Sequence, residues 1–314
     1  MKIPVFLFNG LLESGKTAFI SQMLKKPVFE DGNKTVVICC EEGVEEYDTK
    51  LLEKNNITLI PVEDEDDFNE ALLQKIYKEE KPQRILIEYN GMWEVAKPFE
   101  MDLPPEWFLY QVMAIVNAQT YNLYINNMRS IMISHFACAD LVIVNRLDEE
   151  VNNVSNIRGT IKAINPTTKI YSADENFALE PVKDELPYDI NADVIDISKE
   201  NYGIWYIDIW EKPNLYQGKK VKVRGLFFQE PTDPKDRFSF GRFSMPCCED
   251  DIALMGVYCH NIGKPKYHNK DSVELLAEIR YEKAEVYEGD VGPILHVKSI
   301  QMADENQEDL VMFN

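Results

Sequence analysis

The chain has 314 residues, of which 45% are hydrophobic, and its formal net charge is −21. This length accommodates two domains that fold without disulfide bonds. The strong negative charge argues against a nucleic-acid partner, because a nucleic-acid surface needs a positive footprint. No window approaches ~20 continuous apolar residues, so we expect no membrane-spanning segment. The six cysteines include two adjacent pairs, which rarely form a disulfide framework, and we expect reduced thiols in a cytoplasmic protein.

A glycine-rich loop follows the first apolar run of the chain. Residues 10–17, Gly-Leu-Leu-Glu-Ser-Gly-Lys-Thr, have the form G-x-x-x-x-G-K-[ST], which is typical of a phosphate-binding loop. Glycine lets the backbone come close to a triphosphate, Lys16 reaches its β- and γ-phosphates, and the Thr17 hydroxyl is placed to ligate Mg²⁺. A predicted strand precedes this loop and a predicted helix follows it, with the helix N-terminus facing the phosphates; an accidental glycine turn is the alternative. The predicted phosphate-binding residues are Gly10, Glu13, Ser14, Gly15, Lys16 and Thr17.

Strand-like and amphipathic stretches alternate from residue 1 to residue 174. This alternation is typical of a mostly parallel sheet flanked by helices, so we predict a P-loop NTPase domain of the α/β class over residues 1–174. Residues 67–80 place apolar side chains on one face and are predicted to form a helix that covers the sheet. The candidate strands after the glycine-rich loop are Lys34–Cys39, Ile57–Val62, Arg84–Glu88, Val112–Val116, Leu141–Asn145 and Lys169–Tyr171.

The predicted strand at residues 84–88 ends in a carboxylate, and Gly91 follows three residues later. Beside the phosphate loop, such a strand would aim Glu88 at the Mg²⁺ shell or at the attacking water, and the Gly91 N–H at the γ-phosphate. We therefore predict catalytic roles for Lys16 and Glu88. The alternative is an ordinary exposed glutamate at a strand end.

The apolar strand at residues 141–145 leads into Asn145, Arg146, Leu147 and Asp148. A carboxylate at position 148 can accept hydrogen bonds from the ring N–H and the exocyclic amine of guanine, which adenine does not offer in that pattern. GTPases usually carry Lys where this chain has Arg146, whose aliphatic stem can still cover the base. The motif predicts guanine contacts from Asn145, Arg146 and Asp148, and the alternative role for Asp148 is to cap a helix.

The order of these motifs resembles that of the CobW family of P-loop GTPases, cytoplasmic proteins linked to metal delivery and metal homeostasis. The resemblance covers about residues 3–171, and residues 40–48 look like the family's Asn-Glu-Phe-Gly-x-x-x-x-Asp switch segment. It implies binding of GTP and GDP, hydrolysis with Mg²⁺, and a switch that contains Glu41 and Asp48. The implied Mg²⁺ ligands are Thr17, Asp48 and Glu88.

One departure from the family concerns its internal metal site. Members usually carry Cys-x-Cys-Cys between the switch and the strand that ends at Glu88, whereas residues 55–64 of this chain contain no cysteine. That site is therefore expected to be absent or rebuilt. Cys39 and Cys40 are either a remnant ligand pair or small buried side chains, and Glu41 is a further candidate ligand.

Beyond residue 174 the pattern changes. Residues 175–193 are acidic and contain prolines, so they are predicted to form a linker. Closely spaced strands follow within residues 194–314 and predict a small OB-like β-barrel domain. The candidate strands are Lys220–Phe228, Asp251–Tyr258, Val273–Tyr281 and Ile294–Met302.

About residues 194–299 resemble the C-terminal half of YcgQ-type proteins, which are associated with a permease; the resemblance is carried by residues 216–225 and 238–251. Cys247 and Cys248 are candidate ligands for Zn²⁺ or another transition metal. Their spacing lacks the Cys-x-x-Cys pattern of zinc sites, and a cysteine pair in a barrel core is the alternative. The further ligands that could converge with them are Asp250, Asp251, Cys259 and His260.

The sequence thus predicts a GTPase of the CobW type fused to an OB-like domain, coupling its nucleotide state to a metal-requiring client or a permease complex. Hydrolysis is expected to be slow, because no arginine finger can be identified within the chain. Two alternatives stay open: a nucleotide-dependent adaptor for a membrane permease with little turnover, and an ATP-dependent small-molecule kinase. The sequence does not identify the metal, the partner, the activator or the oligomeric state.

Overall fold

The computed structural model describes residues 2–41, 47–148, 154–182, 186–231, 233–244, 252–260, 266–303 and 310–311. The chain forms two compact units. The first contains Met1–Val154 and Thr167–Lys183, and the second contains Ser155–Pro166 and Asp184–Asn314. The first unit therefore extends into the segment predicted as a linker, because residues 179–181 form a strand of its sheet.

In the described part of the first unit, one sheet contains eight strands: β1 (Ile3–Asn9), β2 (Thr35–Cys39), β3 (Ile57–Pro61), β4 (Arg84–Glu88), β5 (Trp107–Asn117), β6 (Leu141–Asn145), β7 (Lys169–Ala173) and β8 (Leu179–Pro181). Their order is β3-β2-β4-β1-β5-β6-β7-β8, and among these strands β8 alone runs antiparallel to its neighbour. The predicted P-loop NTPase fold with a mostly parallel sheet is confirmed. Strand β1, which precedes the glycine-rich loop, lies between β4 and β5 near the centre of the sheet.

Helices flank this sheet, and central strands such as β2 and β6 are buried on both faces. The helices are α1 (Lys16–Leu24), α2 (Thr49–Lys54), α3 (Glu70–Glu79), α4 (Lys97–Glu100), α5 (Tyr121–Asn127) and α6 (Arg129–Ala137), with 3₁₀ turns at Pro27–Phe29 and Glu65–Asp67. Consecutive buried residues such as Val36, Val37 and Ile38 in β2 are what a parallel sheet covered on both faces requires. The helix predicted over residues 67–80 begins at residue 70, because the side chain of Asn69 accepts a hydrogen bond from the Leu72 N–H and caps it.

The second unit contains α7 (Val154–Ile164), β9 (Ile195–Ile197), α8 (Tyr202–Glu211), α9 (Pro213–Tyr216), β10 (Lys220–Phe228), β11 (Arg237–Ser244), β12 (Ala253–His260), β13 (Ser272–Lys283) and β14 (Val291–Met302), with a 3₁₀ turn at Glu285–Tyr287. The strand order is β11-β12-β14-β13-β10-β9, and β10 also pairs with β11. Strands β12 and β14 are parallel, whereas β10, β11 and β13 pair antiparallel with their neighbours in the ring.

Strands β10 to β14 of the second unit form a closed ring, because β10 pairs with two different strands along one of its edges. Its first half pairs with β9 and its last three residues pair with β11. Gly225 lies where the partner changes, and a Cβ there would come within 2.7 Å of the Phe240 ring and 2.8 Å of the Gly241 carbonyl oxygen. Glycine is therefore needed for the close approach that closes the ring. Throughout the described residues, no helix has the length and apolar character to cross a membrane.

Candidate functional site

The glycine-rich loop connects β1 to α1 in a conformation that most residues do not adopt. Gly10 has φ +137° and Gly15 has φ +99°. A Cβ at Gly10 would lie 2.3 Å from the Ile115 carbonyl oxygen, and one at Gly15 would lie 2.3 Å from Asn145 Nδ2. Both glycines of the predicted motif are thus required by backbone angle and by space.

Lys16, the first residue of α1, is 2% exposed and folds back onto this loop. Its ammonium donates hydrogen bonds to the carbonyl oxygens of Gly10 at 2.6 Å and Leu11 at 3.0 Å. It also forms an ion pair with Glu41 at 2.7 Å, and Glu41 is itself nearly buried. The ion pair compensates the buried positive charge and shows that an anion can reach this ammonium.

Glu88 ends β4 next to β1 and is fully buried. Its Oε1 accepts a hydrogen bond of 2.6 Å from the Thr17 hydroxyl, and its Oε2 accepts one of 2.6 Å from the Tyr47 hydroxyl. The Cys39 thiol donates to Oε2 at 3.4 Å. These three donors compensate for the loss of water around a buried carboxylate.

Burial and the Glu88 charge keep two of these donors protonated. Burial, followed by the charge of Glu88, raises the pKa of the Cys39 thiol to about 12. The same two causes raise the pKa of Tyr47 above its ordinary value. Both groups therefore carry their proton at neutral pH and act as donors to the carboxylate.

Gly91 lies directly against the glycine-rich loop. A Cβ there would come within 2.1 Å of the Gly10 carbonyl oxygen. The Gly91 carbonyl oxygen is 3.0 Å from Nε2 of His135, a buried side chain on α6. Burial is the main cause that lowers the pKa of His135 to about 4, and the charge of Lys16 adds to it. The neutral ring donates from Nε2, and so fixes the backbone at Gly91.

The predicted base-recognition residues lie at the end of β6 and contact the glycine-rich loop. Asn145 Nδ2 donates to the Ser14 carbonyl oxygen at 3.0 Å, and the Arg146 guanidinium donates to the Glu13 carbonyl oxygen at 3.3 Å. Arg146 has φ +53°, and its own N–H is held by the Asn145 side chain at 2.9 Å. Asp148, three residues beyond the end of β6, is exposed. The structure thus brings Asn145 and Arg146 into contact with the phosphate loop.

Other predicted residues have different surroundings. Asp48 is exposed, and its side chain caps α2 by accepting a hydrogen bond from the Lys50 N–H at 2.9 Å. Glu41 lies beside the loop lysine, as described above. Cys247 and Cys248 lie outside the described residues. Sequence reasoning did not find Tyr47, which occupies a variable position of the switch segment, or the role of His135, which belongs to no local motif.

Comparisons with known proteins assign both parts of the chain to known families. Residues 4–172 match the CobW/HypB/UreG nucleotide-binding domain, and residues 172–312 match the DUF1980 C-terminal domain, which is the YcgQ-type domain. Both families predicted from the sequence are therefore confirmed. A comparison with curated proteins found no match.

Several solved structures are similar to the chain at low identity. Hydrogenase maturation factor HypB from Archaeoglobus fulgidus is 19% identical, with a TM-score of 0.41, over 55% of this chain and 80% of that one. HypB from Helicobacter pylori in complex with nickel is 19% identical, with a TM-score of 0.38, over 54% of this chain and 78% of that one. The signal recognition particle 54 kDa protein from Aeropyrum pernix K1, in complex with GDP, is 15% identical, with a TM-score of 0.39, over 58% of this chain and 44% of that one. Because the match to the nucleotide-binding domain spans more than half of the sequence, the chain belongs to the CobW/HypB/UreG family of P-loop GTPases.

Proposed function

We propose that this protein binds GTP and hydrolyses it to GDP and phosphate. The observation that carries the proposal is the buried ammonium of Lys16, held by two loop carbonyl oxygens and paired with a carboxylate at 2.7 Å. A cation fixed in this position beside a glycine-rich loop supports the binding of a β,γ-phosphate group. The exposed Asp148, three residues beyond the end of β6, supports the choice of guanine.

The side chains of Thr17 and Glu88 fit a magnesium ion. They offer hard oxygen donors, and their oxygens already approach to 2.6 Å in this structure. Bound there with the nucleotide, Mg²⁺ would neutralise charge on the phosphates. Glu88 would orient water or the metal's own water ligands, and the Gly91 N–H would face the γ-phosphate. Asp48 is the third candidate ligand, and to serve it would have to leave its place as the cap of α2.

The first experiment measures GTP hydrolysis and nucleotide affinity for purified protein with Mg²⁺. Replacing Lys16 with Ala is expected to lower GTP affinity and turnover by at least about a hundredfold, because charge stabilisation of the phosphates is lost. The matched control replaces Lys25, an exposed lysine just beyond the same helix, and is expected to behave as wild type. Equal activity of both variants would refute the proposed role of the loop.

Base choice has its own test. The substitution Asp148→Asn is expected to shift preference from guanine toward xanthine nucleotides, because the amide donates where the carboxylate accepted. Asp67→Asn, an exposed aspartate in a 3₁₀ turn, is the control. Unchanged GTP affinity in Asp148→Asn would remove the argument for guanine. A preference for ATP with phosphate transfer to a small molecule would identify a kinase instead.

We further propose that the nucleotide state is coupled to a client in the cytoplasm, either a metal-requiring protein or a permease complex. The YcgQ-type domain at residues 172–312 supports a link to a permease. Its five-stranded ring, with β12 and β14 parallel, supports the OB-like assignment made from the sequence. A stable GTP-bound complex with negligible hydrolysis would favour an adaptor over a turning-over GTPase.

A further inference from the structure

Two histidines face each other across neighbouring strands of the second unit. His260 on β12 and His296 on β14 are register partners in a parallel pair. The residues before them, Cys259 and Leu295, are also partners and are fully buried in the core. Because side chains alternate between the faces of a strand, both imidazoles point to the outer face of the ring.

A carboxylate from a third strand completes this cluster. Glu282 on β13 places its Oε1 2.8 Å from Nε2 of His296, and the two imidazole rings are 4.9 Å apart. One ligand atom from each of the three residues lies within 4.8 Å of the others. The ordered strands set these positions, so the cluster is built by the sheet and not by a loop.

One imidazole nitrogen in the cluster makes no hydrogen bond within the described part of the protein. Nε2 of His260 is buried and has no hydrogen-bond partner among the residues that the structure describes. A buried polar atom without a partner costs free energy, about 1–3 kcal/mol for a typical group. A bound metal ion would accept the lone pair of His260 Nε2 and would also be coordinated by the Glu282 carboxylate.

Neighbouring charges leave Glu282 available. Glu278, which lies opposite His296 in the register, is paired with Arg280 at 2.7 Å and with Lys298 at 3.2 Å. Glu282 instead directs its carboxylate to His296. The His296 side chain is 22% exposed and that of Glu282 is 37% exposed, so an ion can enter from solvent.

We propose that His260, Glu282 and His296 form a binding site for a divalent transition-metal ion, with Zn²⁺ as the expected occupant. Two imidazoles and one carboxylate are a donor set that suits Zn²⁺, whereas Mg²⁺ and Ca²⁺ prefer oxygen ligands alone. Zinc–nitrogen and zinc–oxygen bonds of about 2.0–2.2 Å bring tetrahedral ligands to about 3.3 Å from one another. The ligand atoms farthest apart therefore need to close by up to roughly 1.5 Å. Glu282 Oε1 and His296 Nε2, which are 2.8 Å apart, need to separate by about 0.5 Å.

Three protein ligands leave a fourth position open. A water molecule or a ligand atom of a client would occupy it, as in sites that exchange or present their metal. The proposal does not depend on GTP binding, because all three residues belong to strands of the second unit. The proposed site shares His260 with the zinc site predicted around Cys247 and Cys248, but it uses no thiolate ligand.

The test measures Zn²⁺ affinity of the full chain by equilibrium dialysis with metal analysis, without nucleotide. His260→Gln, His296→Gln and Glu282→Gln preserve size and polarity, and each is expected to weaken Zn²⁺ binding at least about tenfold, since even indirect partners of metal ligands cost that much. His268→Gln is the control, because its side chain is 91% exposed and lies outside the cluster. Circular dichroism verifies that each variant folds.

Two measurements on the wild-type chain need no variant. Zn²⁺ is expected to protect His260 and His296, and not His268, from acylation by diethyl pyrocarbonate, as mapped by mass spectrometry. Co²⁺ in the same site is expected to show visible d–d bands without a thiolate charge-transfer band. No Zn²⁺ binding, equal affinity in the cluster variants, or loss of binding only in a Cys247→Ser, Cys248→Ser double variant would each overturn the proposal.

Discussion

The neutral imidazole of His135 makes the stability of the nucleotide-binding unit sensitive to acid. Its Nε2 donates to the Gly91 carbonyl oxygen at 3.0 Å, and its Nδ1 is buried without a hydrogen-bond partner among the described residues. A second proton would have to sit on Nδ1, in an apolar place and near the charge of Lys16. The folded protein therefore resists a proton that the unfolded chain accepts.

The size of the effect follows from the pKa. The pKa of His135 falls from an ordinary value of 6.5 to about 4 on folding. Between these values the unfolded state binds more protons, so stability rises with pH. The contribution of His135 is fully present above pH 6.5 and is lost as the pH falls toward the folded pKa. The loss from this residue amounts to about 2 kcal/mol at about pH 5 and about 3 kcal/mol at about pH 4.

The assay compares urea unfolding of wild type and His135→Gln between about pH 7 and about pH 5, following the transition of the nucleotide-binding unit. The glutamine amide can donate to the same carbonyl but cannot be protonated. Carboxylates titrate alike in both proteins, so the difference between the two unfolding free energies isolates the histidine. We expect this difference to shrink by about 2 kcal/mol at about pH 5. A difference that stays constant with pH would refute the reasoning, and His268→Gln, with an exposed ring, is expected to show none.

Three further predictions concern the phosphate loop. Gly91→Ala would place a Cβ 2.1 Å from the Gly10 carbonyl oxygen. We therefore expect GTP affinity, measured by fluorescent-nucleotide titration, to fall at least about tenfold, which corresponds to about 1.4 kcal/mol. An affinity close to that of the wild type would contradict the predicted packing. Tyr47→Phe leaves buried Glu88 with one donor fewer and is expected to destabilise the protein by about 1–3 kcal/mol in thermal unfolding, and an unchanged melting temperature would count against this. Glu41→Gln removes the carboxylate that pairs with the loop lysine and is expected to raise GTP affinity about tenfold, about 1.4 kcal/mol, whereas unchanged or weaker binding would show that the pair does not compete with phosphate.

Local patterns were sufficient to predict the sheet and the phosphate loop. Each central strand is an apolar run, and β4, β6 and β10 have the bounds expected from the sequence. The G-x-x-x-x-G-K-[ST] spacing has a direct physical cause, since Gly10 and Gly15 adopt positive φ and leave no room for a Cβ. A contiguous motif with such strict conformational demands can be recognised without knowledge of its surroundings.

The helix α8 shows where local patterns fail. Residues 202–211 are rich in aromatic and β-branched residues, which favour strands. They form a helix because burial overrides propensity: Tyr202, Trp205 and Ile209 are fully buried in the core of the second unit. Buried Asp208 in the same helix accepts a hydrogen bond from the Tyr216 hydroxyl at 2.9 Å. Such tertiary contacts have no signature in a single sequence.

The side chains that contact Glu88 and Gly91 could not be predicted from the sequence either. Tyr47 lies 41 positions from Glu88 in the chain, and His135 lies 44 from Gly91. Only the sheet order, which puts β1 between β4 and β5, brings these residues to one place. The role of Asp48 as a helix cap likewise depends on where α2 begins. Sequence motifs therefore identified the residues of the glycine-rich loop and its neighbours, but not the side chains that hold them in place.

The described contacts connect two residues of the phosphate loop, Lys16 and Thr17, to Glu41 and Tyr47. Glu41 pairs with Lys16, and Tyr47 donates to Glu88, which in turn accepts from Thr17. A phosphate on Lys16 would compete with Glu41, and a metal ion on Thr17 would compete with its hydrogen bond to Glu88. The nucleotide would thus act on Glu41 directly, and the metal would act on Tyr47 through Glu88. Since the ion pair between Glu41 and Lys16 must be given up when a phosphate binds, part of the binding energy of the nucleotide would be used to displace Glu41, which is what coupling to a partner requires.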